Sequence, residues 1–134
     1  MVGTWKRLAH VELSSSGSTL DSGTFTETDF IKVIVNRKVT GGNLDNEKIR
    51  FNSDSGSNYA FKHSTDGAGY SNNTSDSGIN FNGTNSAQDG FTVINISNKS
   101  NKEKQVIVHD VRGQGSGASN APQRQETVGK WVNT

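Results

Sequence analysis

At 134 residues the chain fits one domain of common size, long enough to bury one modest core and too short for two. Only 29% of it is hydrophobic, but charged residues are just 20% and the net charge is +1, so it lacks the high net charge typical of disordered chains of low hydrophobicity. The absence of cysteine excludes disulfides and thiolate metal sites, no run approaches the ~18 apolar residues of a membrane span, and the near-neutral charge argues against nucleic acid as a main partner.

The polar excess is Gly, Asn, Ser and Thr, the residues of turns and strand edges. The leading Met1-Val2-Gly3-Thr4-Trp5-Lys6-Arg7 has no apolar stretch and reads as no secretory leader. Residues 4–13 form the first expected strand, with Trp5, Ala9, Val11 and Leu13 at alternating positions, and Ser14 to Gly17 break it. Residues 19–25 are a weaker candidate interrupted by Asp21-Ser22-Gly23. Residues 30–39 are apolar at nearly every position, which predicts a central strand covered on both faces. Val33 and Val35 share one pleat face with Ile31, and Ile34 lies on the other. Short strands are expected at 48–52, 59–63 and 79–81. Residues 64–77 and 82–90 read as long polar loops. Residues 91–96 and 105–111 flank a polar connection and predict a hairpin. After the Gly/Ser-rich stretch 113–120, residues 125–132 predict a last strand. The chain stops directly after it, which raises the expectation that a natural C-terminal strand is missing.

No window sustains a helical period. The reading is therefore all-β: a single antiparallel β-sandwich over residues 1–134, jelly-roll-like, with about eight strands.

Chemistry-bearing motifs are sparse. His10, His63 and His109 share no metal-ligand spacing and read as unrelated strand residues. No Ser sits in a G-x-S-x-G elbow, and no pair of carboxylates is marked for glycoside hydrolysis. Asp54, Asp66, Asp76 and Asp89 lie beside Gly or Ser without the ligand spacing of a calcium loop, which favours Asx turns. Gly113 to Gly117 enters no helix and lacks the Lys-Ser/Thr pair of a phosphate loop. The Asn-x-Ser/Thr triplets are what this composition produces by chance. No catalytic residue, metal or cofactor is expected, and the chain reads as no enzyme.

The C-terminal segment from Ala121 to Trp131 is more distinctive. It holds the single Pro, one of the two Trp, and Arg124 and Glu126 two apart on one strand face. One reading is an edge strand entered through Pro122 and anchored by Trp131 in the core. The other is a subunit interface using Arg124, Glu126 and Trp131.

This segment, with Ile49-Arg50-Phe51-Asn52-Ser53-Asp54-Ser55-Gly56-Ser57-Asn58-Tyr59-Ala60 and Glu103-Lys104-Gln105-Val106-Ile107-Val108-His109, resembles a family of small structural proteins from marine tailed phages, including cyanophages. The resemblance runs from Trp5 to Trp131. It implies a virion component at the particle surface, made in the host cytoplasm: a head decoration, a fibre or a tail appendage. It implies as partners other virion proteins and the chain itself, as a homo-oligomer with a trimer favoured by analogy with fibres, and brings no catalytic residue. The alternative is a receptor- or glycan-binding module, for which Tyr59, Tyr70, Asn72 and Asn73 are the candidate loop contacts.

Overall fold

The computed structural model describes residues 4–26, 28–38, 47–81 and 89–133. Eight strands follow in chain order: β1 (Phe30–Arg37), β2 (Lys48–Ile49), β3 (Tyr59–Thr65), β4 (Ser71–Asp76), β5 (Ile79–Asn80), β6 (Gly90–Ser97), β7 (Lys104–Arg112) and β8 (Gln123–Trp131). The all-β antiparallel class and the strand number agree with the sequence, and no described helix is long and apolar enough to cross a membrane. The strands divide unequally into a six-stranded sheet of order β1-β6-β7-β8-β3-β4 and a two-stranded sheet, β2-β5, in a sandwich-like arrangement.

Period-two patterning sets the faces. In β7, Lys104, Val106, Val108, Asp110 and Arg112 are buried, while Gln105, Ile107, His109 and Val111 are exposed. Register carries that alternation across the sheet. One inner row runs Ile31, Ile96, Val106, Gly129, Phe61, and the next Val33, Ile94, Val108, Thr127, His63. Ile79 of β5 sits directly over the first row. A Cβ built on Gly129 would lie 2.9 Å from Ile79 Cγ2, so the lack of a side chain at Gly129 is what lets the small sheet seat on the large one. The core is Tyr59, Phe61, Ile79, Phe81, Ile94, Ile96, Val106, Val108 and Trp131.

Several expectations are corrected. Residues 4–13 and 19–25 form no strand, because a period-two pattern needs a partner ladder and, among the described residues, none adjoins them. Among the described residues the apolar run at 30–37 is an edge strand: β1 pairs there only with β6, and Phe30 and Ile34 on its outer side are about 60% exposed. The side assignments of Ile31, Val33, Val35 and Ile34 hold, while Val39 lies outside the described residues. The long loop expected at 64–77 contains β4, an edge strand of Ser, Asn, Thr and Asp, whose low apolar content suits a strand with one neighbour and little burial. Of the expected loop 82–90, residues 82–88 lie outside the described residues and Gly90 opens β6.

The last strand is not an edge. β8 lies between β7 and β3, and Pro122 precedes it, so the missing N–H costs no ladder bond. The β6–β7 hairpin forms as expected.

Candidate functional site

Four features stand out from the sheet: an aromatic corner, a buried ionic network, a polar cavity and an exposed apolar face.

The aromatic corner forms where β8 ends. Trp131 stacks on Phe51 at 5.3 Å and on Tyr59 at 6.3 Å between ring centroids. Asn52 and Ser53 both adopt left-handed backbone (φ 52° and 58°), and the Asp54 N–H donates to the Phe51 carbonyl at 2.9 Å, closing a tight turn. The Asp54 carboxylate then gathers donors: Trp131 Nε1 at 2.6 Å, the Gly56 N–H at 2.8 Å and Asn58 Nδ2 at 2.9 Å. These bonds, the indole first, hold its pKa down at about 2. The Asx-turn reading of Asp54 is therefore right. The Tyr59 hydroxyl accepts from the Phe51 N–H at 2.9 Å and donates to the Asp54 carbonyl at 3.0 Å. This corner is structural. Trp131 and Tyr59 are 5% and 1% exposed, which removes Trp131 from any subunit contact and Tyr59 from any ligand-contacting loop.

The ionic network lies further along the inner face. Asp110 accepts from Arg37 Nη1 at 2.9 Å, from Arg37 Nη2 at 3.1 Å and from the Thr92 hydroxyl at 2.5 Å. Arg112 Nε is 3.0 Å from Asp110 Oδ2, the oxygen that also accepts from Arg37 Nη2, and Arg112 Nη2 donates to Gln125 Oε1 at 3.0 Å. Glu47 stands 3.3 Å from Arg37 Nε. Burial lowers the Arg112 pKa, and the Asp110 charge opposes that shift. Two guanidiniums share one buried carboxylate, with Glu47 balancing the second. Register places Arg37 against Gly90, where a Cβ would collide with the guanidinium. The sequence shows five polar residues at inward positions of strands but not that they converge, because the pairing of β1 with β6, of β6 with β7 and of β7 with β8 decides it.

The polar cavity, about 610 Å³, opens beside β3 and β4 and is lined by Lys48, Phe61, His63, Asn72, Asn73 and Asp76, with Ser71 and Asn80 completing it. Lys48 Nζ donates to Asp76 Oδ1 at 2.6 Å, so the charges cancel. His63 stacks beside Phe61 at 6.0 Å, its Nδ1 is buried without a hydrogen-bond partner among the described residues, and burial lowers its pKa, which favours the neutral ring. Ser71, His63 and Asp76 share this cavity without forming a triad. Asp76 is engaged by Lys48 and by the Ser77 N–H, and no hydrogen bond links His63 to either partner. The cavity presents amides and a neutral imidazole, groups suited to a neutral polar ligand. It unites Asn72 and Asn73 of the expected loop contacts, whereas Tyr70 is 80% exposed and stands outside it.

The fourth feature is the outer face of the large sheet. Phe30 and Ile34 from β1, Phe91 from β6, Ile107 and Val111 from β7, and Val128 from β8 are all exposed there. Trp5 helps line a groove of about 950 Å³ together with Phe30, Ile107 and Val128. Arg124 and Glu126 point to the same side, 3.7 Å apart and more than half exposed, so the expected shared face is correct. His109 is also on this face while His63 faces inward, so the histidines do not converge.

Compared with known proteins, the chain matches no family model, no curated protein and no solved structure.

Proposed function

We propose that this chain is a non-enzymatic assembly subunit of a virus particle, a capsid-surface decoration, fibre or tail-appendage component that works by associating with copies of itself and with other virion proteins. The observation that carries the assembly reading is the outer sheet face, where large apolar side chains from four adjacent strands stand exposed. Single exposed apolar residues are ordinary, but a contiguous patch on a regular surface marks an interaction site. Arg124 and Glu126 border the patch as a polar rim, the part of the expected interface that remains once Trp131 is assigned to the core. The particle itself enters through the resemblance of the three quoted segments to phage structural proteins, and threefold symmetry through analogy with fibres.

Introducing charge inside the patch tests the reading. Ile107→Lys with Val128→Glu should leave the fold intact and abolish association in light scattering. Cryo-electron microscopy of particles should place the protein at their surface. A monomeric full-length chain that is absent from particles would end the proposal.

The polar cavity favours a second reading, a glycan-binding module. Asn72 and Asn73 converge there with a neutral His63 and a charge-balanced Lys48–Asp76 pair, a donor and acceptor set suited to sugar hydroxyls. A glycan array with the wild-type chain and Asn73→Ala separates this reading from assembly alone.

A further inference from the structure

Residues 4–26 carry apolar side chains that the described residues leave mostly exposed. Trp5 is 74% exposed, and Val11, Leu13, Leu20 and Phe25 are each more than a third exposed. Among the described residues no backbone hydrogen bond ties this segment to the sheet. Residues 5, 9, 11 and 13 are nonetheless apolar at strand spacing, a pattern that pays off only against a partner strand.

Such a partner edge exists. β1 pairs with β6 on one side only, so the backbone groups on its other side face no strand among the described residues. Its inward side chains Ile31 and Val33 pack on the core but stay half-buried, as does Val35. One more strand with apolar inward residues would satisfy that edge and finish burying the three. The arm segment 4–13 is long enough for the eight residues of β1. The chain's own arm does not occupy this edge, since residues 4–26 form no strand and none of them pairs with β1.

We propose that residues 4–13 of one copy add as a strand along β1 of a second copy, with Trp5, Ala9, Val11 and Leu13 turned toward Ile31, Val33 and Val35. Main-chain hydrogen bonds along the added strand supply affinity and the alternate side chains supply register, the mode of recognition by strand addition. Each copy has one arm to give and one edge to fill, so donation closes either reciprocally between two copies or around a ring. This rests on the assembly reading above and adds to the outer-face contact a second one, at the β1 edge, that the assembly also needs.

The test compares three proteins by light scattering at high-micromolar concentration: the full chain, the chain lacking residues 1–26, and Val11→Pro, which removes a ladder donor without touching the sheet. The full chain should be oligomeric and both variants monomeric, with unchanged circular dichroism. Because the chain has no cysteine, His10→Cys and Lys32→Cys can be mixed and bridged by a short bismaleimide. A cross-link joining the two variants reports an arm of one copy on β1 of another. If the truncated chain does not fold, Val11→Pro and the cross-link decide. Oligomers of full size in the variants, or no mixed cross-link in an oligomeric sample, overturn arm donation while the assembly reading stands. A monomeric full chain overturns both.

Discussion

Trp131 donates its indole N–H to Asp54 at 2.6 Å, joining the end of β8 to a turn 77 residues earlier in the chain. That bond fixes the ring that Phe51 and Tyr59 stack upon, so one exposed-looking aspartate governs how the aromatic corner closes. The corner also gives the protein an acid response. Asp54 titrates near 2 in the fold against 3.8 for an ordinary Asp. Its contribution to stability is whole above the unfolded value and is lost as pH falls through the folded one. Asp54→Asn should lower the melting temperature by several degrees at pH 7, and the difference from wild type should vanish by about pH 2. Trp131 fluorescence in a Trp5→Phe background follows the transition. An equal difference at both pH values would show that Asp54 works through shape rather than charge.

His63 should act at milder pH. Burial lowers its pKa below the ordinary 6.5, so folding favours the neutral ring. The stability it confers is complete above the unfolded value and falls as the pH drops through the folded one. Wild type should lose stability below pH ~6.5, and His63→Gln should flatten that limb in urea titrations at stepped pH.

Removing Asp110 should be severe. Arg37 and Arg112 would be left without their shared carboxylate, the case in which breaking a buried ion pair costs about 3–5 kcal/mol. Asp110→Ala measured by urea unfolding should approach that range. A cost below about 1 kcal/mol would show that solvent enters the network freely.

Gly129 and Ile79 should couple. Gly129→Ala forces a methyl against Ile79 and should cost about 1–3 kcal/mol as overpacking. Ile79→Ala opens a cavity at a fully buried site and should cost about 2–5 kcal/mol. Together the two should cost clearly less than their sum, because each relieves the other. Simple additivity would mean that the two sheets separate at this point.

Much of the architecture was legible because period two survives in β6, β7 and β8, whose inner and outer residues can be read directly from the sequence. The same rule misplaced β1. An apolar residue at every position signals burial on both faces only when something covers both, and Ile34 shows that nothing in the described chain does. The rule also overstated residues 4–13, where alternation exists without a ladder. β4 was missed because Ser, Asn and Thr signal loops in a local window. The Asp66-Gly67 pair was the available clue: both residues adopt positive φ (51° and 77°), the turn chemistry expected at the end of a hairpin. The ionic network and the polar cavity lay out of reach, since both depend on which strands become neighbours. Arg37 meets Asp110 across 73 residues, and Lys48 meets Asp76 only through the fold.

The strand order has a consequence for how the chain is made. Among the described residues β1 finds its ladder only in β6, and β3 joins the main sheet only through β8. As the ribosome delivers these strands in order, β1 to β5 have little to pair with among the described residues beyond the β3–β4 hairpin and the short β2–β5 contact. The β6–β7 hairpin and then β8 arrive last, and they supply the centre of the sheet. The fold therefore cannot close until β8 has been delivered, and an apolar β1 waits with no described strand at its side until β6 follows. Folding of this kind is slow and exposes the nascent chain to association with its neighbours. Successive chains emerging from one message would meet in that unpaired state.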